Sequence, residues 1–220
     1  MKFLTKHAAN DVSNNISGFF RKKRIKIFND FINTFVVSDT IRILDIGGTN
    51  YFWNIWKEYI ERDIKVTLIN TNEQLTNGYD SLKLDANDLS SLKDKSFDIV
   101  FSNSLIEHLF TYENQKIFTE EILRIGKKIF IQTPAFIFPI EPHFLFPFFH
   151  WFNRKIRLSL VKHYNLGWYK KQSKLSDAEK LVDEIRIMKK KELIKLFPNE
   201  NIFSEKLLLL TKSYIIYSRI

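Results

Sequence analysis

Cysteine is absent from all 220 residues. That excludes disulfides, thiolate metal sites and a cysteine nucleophile, and it agrees with a reducing, cytoplasmic setting. No glycine- or serine-rich linker and no internal repeat divides the chain, so a single domain over 1–220 is expected. A long uninterrupted apolar run is also missing. The most apolar stretch, 136–152, is broken by Pro139, Pro142 and Pro147 and by Glu141, His143 and His150. A membrane-spanning helix needs about 20 mostly apolar residues, so none is expected. Met1-Lys2-Phe3-Leu4 runs into polar residues rather than an apolar segment, so no secretory leader is read there.

What is present is ordinary for a globular protein: 45% hydrophobic and 27% charged residues. The formal net charge is +9, which favours anionic partners. The positive charges are scattered over 21–24, 127–128, 154–157, 170–171 and 189–191, and no RNA-binding signature accompanies them. Solvated helix faces are the plainer reading, and nucleic acid is not favoured as a partner.

The chain is organised around Ile41-Arg42-Ile43-Leu44-Asp45-Ile46-Gly47-Gly48-Thr49-Asn50. It reads as a buried strand, a turn with two glycines and the start of a helix. In such a unit, backbone N–H groups can approach a charged small molecule. Before it, a helix is expected from Ser17 to about residue 37, within an N-terminal helical cap over 1–38. After it come strands at 66–70, 82–85, 97–102 and 127–133, a helix over 111–125, then a helix over 189–197 ending at Pro198. Two last strands, 202–210 and 213–218, read as a hairpin turning at Thr211-Lys212. Strands that alternate with helices predict an α/β fold with a mainly parallel sheet. Residues 134–187 break the alternation and read as a lid or substrate insertion.

In an open parallel sheet, ligands collect at the carboxyl ends of the strands. Four ends carry polar groups: Asp45-Ile46-Gly47-Gly48, Asn70-Thr71-Asn72, Asp85-Ala86-Asn87-Asp88 and Ser102-Asn103-Ser104. Each alone is a common cap or turn. In this order they resemble the class I S-adenosylmethionine-dependent methyltransferases, in particular the small type 11 group. The resemblance implies a Rossmann-like seven-stranded sandwich, an enzyme, and S-adenosyl-L-methionine as cofactor. It places Asp45, Gly47 and Gly48 on the methionine part and sugar, and Asn70 on the ribose. Asp85 takes the adenine amine, Ala86 lies on the ring, and Ser102 and Asn103 sit near the amino acid portion. Two departures stand out: the usual G-x-G-x-G is shortened, and the ribose acid is an amide.

Further pieces resemble a bacterial branch of this group, some of whose members lie among genes for surface polysaccharide: Ser102 to His108, Gln132-Thr133-Pro134, Phe138 to His143, and Leu166-Gly167-Trp168-Tyr169. This implies an O-methyltransferase acting on an anionic sugar-linked or phosphate-bearing small molecule. A hydroxyl acceptor benefits from a base, whereas a carboxylate or phosphate oxygen needs none. His108, Glu141 and His143 are the candidate catalytic groups, with Glu107, Trp168 and Tyr169 as substrate contacts. Two prolines fix the backbone around Glu141 and His143. Packing or capping roles stand beside each of these readings. A shared metal set of His108, Glu141 and His143 is the minor reading, and no metal site is expected. Residues 144–152 form an apolar lid, or else a docking surface that touches a membrane peripherally at its inner face beside Arg154, Lys155 and Arg157. Rival functions are a lipid or quinone methyltransferase, an RNA methyltransferase, and a non-catalytic methyltransferase-like binding protein.

Overall fold

The computed structural model describes residues 16–35, 40–71 and 78–219. Their contacts fall into two compact units, one built from the described parts of 16–102 with 121–130, the other from 103–120 with 131–219.

The first unit opens with α1 (Ile16–Ile32) and β1 (Ile41–Ile46), followed by α2 (Asn50–Trp56), which tightens into a 3-10 turn over Lys57–Tyr59. Then come β2 (Ile64–Asn70), β3 (Asp80–Lys83) and β4 (Phe97–Asn103). The end of α3 (Tyr112–Ile125) and the start of β5 (Gly126–Pro134) complete it. Five of the six β1 side chains are buried, as expected for a parallel strand covered on both faces. β1 pairs in parallel with β2 and β4, and β2 with β3. With β8 (Asn201–Leu207) and β9 (Leu210–Tyr217), the sheet has seven strands in the order β3-β2-β1-β4-β5-β9-β8. The expected α/β fold and its seven-stranded sheet are present.

The aromatic residues after the glycine turn are core. Phe28 of α1 packs on Trp53, Trp56, Phe101 and Phe130, with ring centroids 5.0–6.2 Å apart. Truncating such a fully buried Phe costs about 3–5 kcal/mol. α1 stops at Ile32 rather than running to residue 37, and residues 36–39 lie outside the described part. The Thr34 hydroxyl donates to the Phe31 carbonyl at 2.7 Å, so a side chain takes over an acceptor at the helix end. The proposed cap Ser17 falls inside the helix. β3 ends at Lys83, two residues before the expected end. Asp85 closes a turn instead, its Oδ1 accepting the Asn87 N–H at 2.9 Å.

In the second unit, 134–187 contains the short pair β6 (Ile140–Glu141) and β7 (Phe146–Pro147), then α4 (Arg154–His163) and α5 (Leu175–Asp183). Phe144, Phe149, Val161, Leu166, Leu181 and Val182 pack into one core, with Phe144 stacked on Phe149 at 4.0 Å. The stretch read as a lid is thus divided: Phe144 and Phe149 are buried, while Leu145, Phe148 and Trp151 are exposed. α6 (Lys190–Leu196) precedes the terminal hairpin.

That hairpin turns at Leu208-Leu209, not at Thr211-Lys212. Thr211 pairs with Lys206 and Leu207 with Leu210. Register is decided by burial: Tyr214, Ile215 and Ile216 face the interior, and buried Glu205 accepts from the Ser213 hydroxyl. That pairing leaves the two leucines at the tip, 90% and 93% exposed. Among the described residues, no helix is long and apolar enough to cross a membrane.

Candidate active site

In the first unit the glycine turn is built around a buried carboxylate. Gly47 has φ +82°, a conformation glycine adopts without a Cβ penalty. At Gly48 the constraint is space: a Cβ there would stand 1.7 Å from Asp45 Oδ2. Asp45 is 1% exposed, and its Oδ2 accepts from the Trp53 indole N–H at 2.6 Å. Oδ1 is buried with no hydrogen-bond partner. Burial pushes the carboxyl up to about 7, against the opposing pull of the Trp53 bond. Thr49 caps α2, its hydroxyl accepting the Phe52 N–H at 3.3 Å.

Asn70 shows why an amide stands where the resembling family has an acid. Its Nδ2 donates to the Gly48 carbonyl at 2.6 Å, which a carboxylate cannot do. Asn70→Asp replaces that donor with a negative charge against a carbonyl. Stability should fall by about 1–3 kcal/mol, and the rise in melting temperature on adding S-adenosylhomocysteine should shrink by half or more. A larger rise than in the parent would show that the family's usual acid works here and that the Gly48 bond is unimportant.

The other expected cofactor residues are placed unevenly. Asp85 is exposed and Ala86 is buried in the turn after β3. Ser102 needs correction: it is 1% exposed and its hydroxyl donates to the Ile46 carbonyl at 3.0 Å. Its hydroxyl is spent tying two strand ends together. Asn103, half-buried, belongs to the second unit.

In that unit, Glu107, His108 and His143 converge. One ligand-type atom from each lies within 4.8 Å of the other two, and the two imidazoles meet edge to face at 4.7 Å. Glu107 was expected to touch substrate, but it is fully buried. Its Oε2 accepts from the Thr133 hydroxyl at 3.0 Å, and its carbonyl accepts the Arg186 N–H at 2.7 Å. Burial pushes its carboxyl up to about 7, opposed by the positive charge of His143. Burial also drives His108 down to about 3, and His143 adds to that shift. For His143, burial works against the charged form, yet the Glu141 bond and the surrounding carboxylates outweigh it and raise the pKa.

Glu141 is not placed as a base. Its Oε1 stands 2.5 Å from His143 Nδ1, while Oε2 accepts the N–H groups of His143 and Phe144 at 2.8 and 2.6 Å. With both oxygens engaged and 1% exposure, it positions His143. Trp168 is 42% exposed and its indole donates to the Pro142 carbonyl at 3.3 Å. Tyr169 packs on Phe144 at 5.1 Å and serves the core.

Sequence reasoning missed a cleft of about 860 Å³ in the second unit. Arg157, Arg186, Lys189, Lys191 and Lys195 line it, with Phe110, Tyr112 and Phe136 among them. Arg186 lies 5.2 Å over the Tyr112 ring and Lys189 5.1 Å over Phe136. Its residues come from four separate stretches, so no local motif marks it. The basic stretches 154–157 and 189–191 were the visible signals.

Residues 44–129 match the methyltransferase family described as "Methyltransferase domain". Two uncharacterised proteins of Mycobacterium tuberculosis are 29% identical over 72 residues, 33% of this chain and 24% of theirs. The matched part of the chain thus spans about a quarter of those relatives. Among solved structures, the CurJ carbon methyltransferase is similar with a TM-score of 0.59 at 8% identity, over 96% of this chain and 56% of that one. The PH0226 protein of Pyrococcus horikoshii is similar with a TM-score of 0.57 at 13% identity, over 99% and 97% of the two chains. Magnesium protoporphyrin IX methyltransferase of Synechocystis, solved with S-adenosylhomocysteine, has a TM-score of 0.55 at 10% identity, over 97% and 91%. At these identities the structures speak for the fold alone.

Proposed function

We propose that this protein is an S-adenosylmethionine-dependent methyltransferase that transfers the methyl group to a hydroxyl oxygen of an anionic sugar-linked or phosphate-bearing small molecule. The observation that carries this is the convergence of Glu107, His108 and His143. An acceptor that is already an anion needs no such centre, whereas a hydroxyl must lose its proton. When bound, the cofactor would supply a methyl on a sulfonium: the acceptor oxygen's lone pair would take the methyl, the S–C pair would stay on sulfur, and the hydroxyl proton would pass to the Glu107–His108–His143 cluster.

The cofactor fits the glycine turn of the first unit. Gly47 turns the backbone with a positive φ, and Asp45 Oδ1 is buried without a partner among the described residues. Asp45, Gly47, Gly48, Asn70, Asp85 and Ala86 would hold it. The anionic character of the acceptor rests on the basic, aromatic-lined cleft, whose volume suits a small molecule. Arg186 links cleft and cluster, lining the one while its N–H holds Glu107 of the other. A cytoplasmic intermediate of surface polysaccharide synthesis has this chemistry.

The test is transfer of labelled methyl to a panel of sugar phosphates, nucleotide sugars and uronic acids. A product label that survives mild alkali and stays on the sugar once its phosphate is removed is the expected result, because a methyl ether survives both treatments, a carboxylate methyl ester is cleaved by alkali and a phosphate methyl ester leaves with the phosphate. Label released by alkali, or transfer only to nitrogen acceptors, would sink the O-methyl reading.

A second reading, a lipid or quinone acceptor, draws on exposed Ile137, Ile140, Leu145, Phe148 and Trp151. Arg154 speaks against it, since its guanidinium is engaged by Asp183 and Glu179. Absence of the protein from floated anionic liposomes is the result expected from the main reading.

A further inference from the structure

Sequence reasoning expected no metal in this chain. We propose instead that Glu107, His108 and His143 form a binding site for one divalent first-row transition-metal ion. What such an ion does for the acceptor rests on the O-methyl reading above; the binding itself does not.

Among the described residues, two buried atoms in the cluster are left without partners. Glu107 Oε1 has no hydrogen bond, although Oε2 is satisfied by Thr133. His108 Nδ1 is likewise buried and unpaired; its nearest carboxylate oxygen, on Glu184, is 3.9 Å away, beyond hydrogen-bond reach. Buried polar atoms are almost always satisfied in folded proteins, and a site for an ion is one of the few reasons for exceptions. A cation facing both atoms would satisfy both.

His143 is arranged as a ligand is. Glu141 accepts from its Nδ1 at 2.5 Å, so in the neutral ring the proton sits on Nδ1 and Nε2 is the nitrogen that would bind an ion in place of its second proton. Glu141 is itself held by two backbone N–H groups, which fixes the direction of the ring. A carboxylate behind a metal-binding imidazole recurs because it sets the tautomer and raises the donor strength of the other nitrogen. Glu107 is similarly held, through Thr133 and through the Arg186 N–H on its carbonyl.

The donor set decides the kind of ion. Two imidazoles and one carboxylate suit zinc, cobalt, manganese or iron. Calcium and magnesium prefer oxygen ligands. Ligand atoms around a tetrahedral ion at zinc-like bond lengths stand roughly 3.3–3.5 Å apart. The present spread of up to 4.8 Å therefore has to contract by up to about 1.4 Å on binding. Three protein ligands leave a position open for an acceptor hydroxyl, which a bound divalent ion makes more acidic.

The full chain, freed of metal with a chelator, is titrated with cobalt(II) and followed by visible absorbance, with zinc as competitor and magnesium as control. One equivalent of cobalt should bind with a spectrum of low-coordinate nitrogen and oxygen ligation, zinc should displace it, and magnesium should not. Glu141→Gln keeps all three ligands and should weaken cobalt binding about 10–100-fold. Glu107→Gln and His108→Ala should weaken it further, each checked for a cooperative melt. Failure of the folded parent to bind cobalt would overturn the proposal, leaving Glu107 and His143 as a buried ion pair. Unchanged binding in both Glu107→Gln and His108→Ala would also overturn it, because the ion would then sit elsewhere. None of these readouts needs an acceptor. If cobalt binds as expected but methyl goes to a carboxylate or an amine, the site stands and the O-methyl reading falls.

Discussion

Gly48→Ala should abolish the response of the protein to S-adenosylhomocysteine and lower its melting temperature by about 6–12 °C. The added Cβ would stand 1.7 Å from Asp45 Oδ2 and 2.2 Å from its Cγ, far inside any contact distance. The carboxylate has nowhere to go: Trp53 holds it from one side, and the residue is buried. Overpacking a core usually costs about 1–3 kcal/mol; an overlap this deep belongs at or above the top of that range. For a chain of this size, each kcal/mol is worth about 2–4 °C. Gly48, unlike Gly47, has no positive φ, so alanine is excluded by the carboxylate and not by the backbone. That gives a sharp check. In an Asp45→Ala background the same substitution should cost little, and a double-mutant cycle should show coupling of about 2 kcal/mol or more. Additive effects in the cycle would mean that Asp45 is not what fills the space above Gly48.

The second large effect is a pH dependence carried by Asp45. Its carboxyl is raised from 3.8 to about 7 in the folded chain, chiefly by burial. Below about pH 4 the group is protonated folded or unfolded, and its full contribution to stability is present. As pH rises toward 7, the unfolded chain ionises while the folded one resists, so stability is lost across that window and levels off above it. The loss is on the order of a few kcal/mol. Asp45→Asn removes the ionisation while keeping an oxygen for the Trp53 indole. The variant should match the parent near pH 4 and be more stable near pH 8, by several degrees in a thermal melt. Taking the difference between parent and variant isolates this carboxyl from the other titrating groups. Parallel curves for the two proteins from pH 4 to 8 would refute the claim that Asp45 is held against its charge.

Much of the first unit was legible because its signals are local. The run of buried aliphatics in β1, the paired glycines and the alternation of strands with helices are properties of consecutive residues, and the sheet follows them. The terminal hairpin was legible as a hairpin but not in its turn. Leu208-Leu209 carries no turn chemistry, and its place is set by Tyr214, Ile215, Ile216 and Glu205 facing inward. β3 was misplaced for a related reason: Asp85 resembles a strand end, but its side chain bonds to Asn87 and turns the chain. For the site, residue types were visible and roles were not. Glu141 and His143 read as a pair of candidate bases; only the fold shows that one exists to hold the other.

From its sequence alone this chain declares a mainly parallel α/β sheet, a strand–glycine turn–helix unit at its first strand, and the absence of cysteine chemistry. These depend on periodicity and on residues adjacent in the chain. Tertiary structure alone decided which polar groups are spent inside the protein, as Ser102 and Glu141 are, and which are left over, as Glu107 Oε1 and His108 Nδ1 are. It also decided that basic and aromatic residues from four stretches line one cleft. The physical reason is the same in each case. A hydrogen-bond partner or a buried neighbour is set by distance in space, and burial shifts what a carboxylate or an imidazole can do by more than its identity reveals.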